Sequence, residues 1–166
     1  MRKLLVTAAL ILLGGVSGAE AQEVKVLGTF GKWIAQTYQE NGQPVCFMSV
    51  KPEAVTKARG DVLFMVTHRP SEQSWDVISI VAGYQYQPDS DAALTVNGNR
   101  FNLFTNGERA WARDGATDAT IVDLMIKGNN ASVRGTSNRG TVTTDVFPLA
   151  GFTAAHKSIS ESCKKS

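Results

Sequence analysis

Histidine and cysteine are scarce in this chain, with two of each among 166 residues. Neither His68 nor His156 stands in H-x-x-x-H, in H-E-x-x-H or beside a cysteine, so no metal-ligand spacing is present. The absence of C-x-x-C removes the motif of a poised redox pair. After residue 21 there is no P-loop, no G-x-G-x-x-G and no G-x-S-x-G nucleophile elbow. These gaps lead to an expectation of no catalytic residue, no metal, no cofactor and a non-enzymatic protein. Charge of one sign is lacking too: the net charge is +2 and the basic residues are scattered. Such a surface offers nothing for nucleic acid.

What the chain does have begins at its first residues. Arg2 and Lys3 precede an uncharged apolar run from Leu4 to Val16, and small residues follow, ending Ala19-Glu20-Ala21. That is the layout of a secretory signal peptide, with cleavage expected after Ala21. The apolar run falls short of the roughly 20 residues that span a bilayer, and no cysteine follows it to be acylated. The expected product is residues 22–166, one exported domain with no transmembrane segment, periplasmic or secreted.

Both cysteines, Cys46 and Cys163, lie in that product. In an oxidising compartment two cysteines allow one pairing, so a Cys46–Cys163 disulfide is expected. The C-terminal pattern agrees. Phe152, Ala155, Ile159 and Cys163 recur at three and four residues, the stripe of a terminal helix opened by Pro148 and Gly151.

Elsewhere the chain reads as strands. Val24 to Tyr38, with Gly28 and Gly31, suggests a bent or bulged strand, with Asn41-Gly42-Gln43-Pro44 turning into Val45 to Val50. Asp61 to Arg69 is apolar at both alternating sets and reads as a strand buried on two sides. Trp75 to Ala82 follows. Asn97-Gly98 and Asn106-Gly107 each sit between apolar runs, a hairpin signal that yields a three-stranded meander. Thr117 to Lys127 fits a short helix capped by Asp118, or a strand; the helix is preferred. Ala131–Thr136 and Thr141–Leu149 form a last hairpin. The expected fold is mainly β, an immunoglobulin-like antiparallel β-sandwich with a C-terminal helix. A lipocalin-type barrel is the alternative.

Candidate functional residues are few. Tyr84 and Tyr86 alternate with glutamines before Pro88 and are the candidate partner-contact surface. The glycine-rich, basic stretch Arg134 to Arg139 is a second recognition candidate, more simply a solvated turn. Asp89 and Asp91 resemble a fragment of a calcium loop without its glycine and distal glutamate. His68 is expected at a strand-end rim, and His156 as a packing residue beside the helix stripe. The leading function is binding of a protein or cell-envelope partner. The alternative is a small-molecule-binding barrel or small periplasmic hydrolase, which would require a cavity holding His68 or His156 beside a carboxylate.

Several short motifs occur in a fixed order: Phe30-Gly31-x-Trp33, Cys46, Gly83-Tyr84, Val96-Asn97-Gly98, Ala110-Trp111 and Gly151-Phe152-Thr153-Ala154-Ala155. This order resembles the invasion associated locus B family, exported proteins common in alphaproteobacteria. The resemblance implies an immunoglobulin-like sandwich in the periplasm or peripheral to the outer membrane, and a host-interaction role through the founding member's link to red-cell invasion. It implies no cofactor and no catalytic residue. Many members carry further cysteines, whereas Gln36, Thr37 and the Phe104–Arg109 stretch supply none here. The chain resembles a single-bridge branch.

Overall fold

Ten strands among the described residues, 23–164 of a computed structural model, join into one continuous antiparallel sheet. The expected signal peptide, with its expected cleavage after Ala21, lies outside these residues. In chain order the elements are β1 (Lys25–Phe30), β2 (Trp33–Glu40), β3 (Gln43–Val50), β4 (Leu63–Arg69), a 3-10 turn (Pro70–Glu72), β5 (Ser74–Val81), β6 (Ala92–Val96), β7 (Asn99–Asn106), β8 (Arg109–Trp111), α1 (Gly115–Ile126), β9 (Asn130–Thr136), β10 (Val142–Pro148) and α2 (Phe152–Ser162). Across the sheet the order is β1-β2-β3-β4-β5-β8-β7-β6-β9-β10. Strand β7 makes the corner: Asn99 to Leu103 pair with β6, while Phe104 to Asn106 pair with β8. A strand that changes partners along its length lets one sheet fold over itself into two layers.

The layers close on an apolar core. Phe64 of β4 meets Phe147 of β10 edge to face at 5.4 Å, and Trp33 of β2 meets Phe64 at 6.0 Å. The Trp33 indole N–H is satisfied by the Pro148 carbonyl at 2.9 Å. The expected mainly-β sandwich with a terminal helix is therefore the architecture, with both layers drawn from one sheet.

Helix α2 docks its stripe on this core. Phe152, Ala155 and Ile159 are buried, and Trp33 stands edge-on to Phe152 at 5.1 Å. The Cys46–Cys163 disulfide forms as expected, with Cα atoms 6.0 Å apart. The entry to α2 explains two glycines. Gly31, in the β1–β2 turn, has φ +61°, and Gly151 has φ +90°. A Cβ on Gly31 would stand 2.5 Å from the Ala150 carbonyl oxygen, and one on Gly151 2.1 Å from that of Phe30. Only residues without a side chain let these two backbones touch.

Some expectations need correction. Residues 24–38 form two strands around a tight turn rather than one strand, and the register of the first shifts between Val26 and Gly28. Helix α1 is present, but its cap is Asp114, whose carboxylate accepts the Thr117 N–H at 2.8 Å, and not Asp118. Strand β4 is not buried on both sides. Phe64, Val66 and His68 enter the core, while Leu63, Met65, Thr67 and Arg69 are half-buried on the outer face. No helix among the described residues is long and apolar enough to cross a membrane.

Candidate functional site

The half-buried side of β4 belongs to a trough on the sheet's outer face. An antiparallel sheet with one solvated face normally alternates apolar with polar residues. Here the outward positions carry Tyr38 on β2, Val45 and Phe47 on β3, Met65 on β4, Val77 on β5 and Trp111 on β8, around a depression of about 500 Å³. Val77 and Trp111 also line a neighbouring depression of about 410 Å³ that reaches Phe104 and Asp118. Phe104 is 38% exposed and lies stacked on Trp111 at 5.4 Å. The rim is charged: Arg69 pairs with Glu40 and donates to the Tyr38 hydroxyl at 3.3 Å, with Glu72 and Arg109 nearby. Aromatic floor and polar rim are the composition of a protein contact surface.

Behind β5 lies a buried polar cluster. One residue of β4, His68, faces two of β5, Trp75 and Asp76, because the register shifts there. This bulge holds Asp76 at φ 59° and turns its backbone N–H onto the His68 ring, where Nδ1 accepts it at 3.0 Å. A backbone N–H can only donate, so Nδ1 carries no proton and the ring is the Nε2–H tautomer. Nε2 in turn donates to Ser160 Oγ of α2 at 3.1 Å. His156, one turn earlier on α2, contacts the Asp76 carboxylate through Nε2 at 2.7 Å. The side-chain ligand atoms of His68, Asp76 and His156 all lie within 4.8 Å of one another. Cys46 is the β3 neighbour of His68, so the disulfide closes one side of the cluster.

His68 is fully buried, not at a rim as the sequence had suggested, because it belongs to the inward set of β4. His156 is mostly buried beside Phe152, in keeping with a packing role, and it also carries a polar bond to Asp76. The trio Ser160–His68–Asp76 has the residue types of a hydrolytic triad but the opposite wiring. A serine nucleophile needs Nε2 to accept its proton and Nδ1–H to face the carboxylate. Here the protons run the other way.

Asp118 of α1 sits beside this cluster and accepts the Ile78 N–H at 2.9 Å. Burial first, then the charges of Asp76 and Asp114, push its pKa up to about 6 from 3.8, against the pull of the Ile78 bond. The sign is that of a raised carboxyl. The stabilising protonated form is complete below pH 3.8 and is lost as the pH rises through about 6. Asp118→Asn keeps the acceptor without the charge. At pH 7 it is expected to melt above the parent, by the equivalent of about 1–3 kcal/mol. The gap should close below about pH 4. Thermal scans at both pH values check this; an identical gap at each would contradict it.

Tyr84 and Tyr86 do not form the exposed contact surface expected of them. Tyr86 is 6% exposed and Tyr84 is half-buried. The rings meet edge to face at 5.2 Å over Gly135 of β9, where a Cβ would come within 2.6 Å of the Tyr86 ring. The Tyr84 hydroxyl bonds to Thr143 Oγ1 at 2.8 Å. Burial raises both phenol pKa values. Both tyrosines pack the sandwich. The trough residues are not legible as a set in the sequence because they come from five strands and read locally as core.

The family model described as Invasion associated locus B (IalB) protein matches residues 33–160 of the chain. No curated protein and no solved structure matches it.

Proposed function

The chain belongs to the invasion associated locus B family, and on that premise we propose that it is an exported, non-enzymatic β-sandwich protein that binds a protein of the cell envelope. The carrying observation is the trough of Tyr38, Phe47, Met65, Val77 and Trp111 on the outer sheet face. Apolar surface of this kind on an outward sheet face marks a contact site. The basic-apolar-small leader and the paired cysteines support a periplasmic or secreted location, peripheral to the outer membrane. A hydrolase is less well supported, since Ser160 receives a proton from His68 instead of giving one. The partner's contact is expected to place apolar side chains on the trough floor and to answer the Arg69–Glu40 pair at its rim.

The test uses Phe47→Arg and Met65→Arg, both on outward positions. A partner recovered from the organism's own envelope is purified, and its affinity for parent and variants is measured directly. Each variant is expected to bind at least about tenfold more weakly, roughly 1.4 kcal/mol, with the melting temperature kept within a few degrees. Equal affinity for both variants would remove the trough from the interface.

A further inference from the structure

We propose that His68, Asp76 and His156 form a binding site for a divalent first-row transition metal ion, with zinc as the reference case. Two imidazoles and one carboxylate are the donor set that such ions take, and metal–ligand bonds there run about 2.0–2.2 Å. Ligand atoms around one tetrahedral ion are therefore about 3.3–3.6 Å apart. The three here lie within 4.8 Å of one another, with His156 Nε2 at 2.7 Å and His68 Nδ1 at 3.9 Å from Asp76 Oδ1. Side-chain shifts of up to about 1 Å, opening the His156–Asp76 contact and closing the wider separations, gather them on one centre.

The cluster is wired for this use. A metal-binding histidine offers one ring nitrogen and donates the other N–H to an orienting group. His68 has the outer half of that arrangement, its Nε2–H held by Ser160, while its unprotonated Nδ1 faces Asp76 and accepts the Asp76 N–H. The ion would take the place of the Asp76 N–H at that lone pair and of the proton between His156 and Asp76. On a neutral His156 ring the proton returns from solvent at Nδ1. Backbone geometry points the same way. Asp76 is a non-glycine residue at φ 59° in a bulge, and bulges of this kind re-aim side chains at sites.

An ion also has a way in. Asp76 lines a surface depression of about 430 Å³ together with Glu72 and Asp118, an acidic mouth for a cation, and His156 is 15% exposed. The ligands come from β4, β5 and α2, and the disulfide clamps α2 to the sheet next to His68. The elements that carry the ligands are thus held together, and entry of the ion requires the Asp76 N–H to turn off the His68 ring.

The experiment takes the exported, disulfide-bonded protein stripped with a chelator and titrates it with zinc sulfate by calorimetry. Cobalt(II) absorption serves as a second, spectroscopic readout. The expected result is one saturable ion per chain, a rise in melting temperature with zinc, and cobalt d–d bands. His156→Gln is expected to weaken binding by about 100-fold or more. Ser160→Ala, acting through His68 as a positioning residue, is expected to cost about 10–100-fold and to lower the metal-free melting temperature by several degrees, since it leaves the buried His68 Nε2–H without its acceptor. Circular dichroism confirms that both variants fold. Absence of saturable zinc binding, or binding unchanged in His156→Gln, would overturn the proposal.

Discussion

Replacing Cys46 and Cys163 together by alanine is expected to lower the melting temperature by about 10–20 °C. The bridge spans a sequence separation of 117. On the chain-entropy model, a loop of that size removes about 4–5 kcal/mol of unfolded-state freedom. At this chain length each kilocalorie moves the melting point by about 2–4 °C. Both sulfurs are buried, 0% and 4% exposed by residue, so the paired substitution is a cleaner test than a reductant. The fold itself should survive in the cold. Trp33, Phe64, Phe147 and Phe152 still close the core, and β circular dichroism at low temperature should match the parent. A drop below about 3 °C would show that the bridge merely decorates a helix already fixed by its apolar stripe.

The second large effect is expected at Arg59. Residues 51–62 run along the open edge of β10: the Glu53 N–H donates to the Val146 carbonyl at 2.9 Å, and Thr56 Oγ1 donates to that of Thr144 at 2.8 Å. Arg59 pins this loop. Its Nη2 donates to Asp145 Oδ2 at 2.5 Å and its Nε–H to the Ala82 carbonyl at 2.7 Å, with the guanidinium 5.4 Å from the centre of the Tyr84 ring. Both side chains of the ion pair are more than nine-tenths buried, and Asp145 Oδ1, the second carboxylate oxygen, has no hydrogen-bond partner. Arg59→Ala therefore strands a carboxylate out of water, at a cost of about 3–5 kcal/mol. Asp145→Ala strands the cation with a similar cost. The double variant removes both charges and is expected to be more stable than the sum of the single losses predicts, by well over about 1 kcal/mol. Urea unfolding of the four proteins measures this coupling, and additive losses would contradict it. Release of the loop also uncovers a strand edge, so the single variants are expected to aggregate more readily on heating.

Legibility in the sequence followed distance along the chain. Asn97-Gly98 and Asn106-Gly107 announced their hairpins because a two-residue turn carries its own conformational requirement. The stripe of α2 and the even cysteine count agreed on a bridge because helix spacing places Cys163 on the face of Ile159. The histidine–aspartate cluster had no such local sign. His68 and Asp76 are joined by a bulge, and His156 arrives 80 residues later on a helix, so no spacing rule covers them. The outer trough was hidden for a different reason. Met65 and Val77 look like core residues in their own strands, and only the closing of the two layers on the opposite face leaves them outward. Tyr84 and Tyr86 were misread in the reverse direction: Gly135 and Thr143, from the distant last hairpin, supply the space and the hydroxyl partner that bury them.

The claim that the outer sheet face carries the protein's function is tested most directly by photocrosslinking in the native envelope. A photoreactive phenylalanine analogue is placed at Phe47, on the trough floor, and separately at Val142, which is 44% exposed on β10 in the other layer. The account predicts a discrete protein adduct on irradiation from position 47 and none from position 142. An adduct from position 142 alone would contradict it.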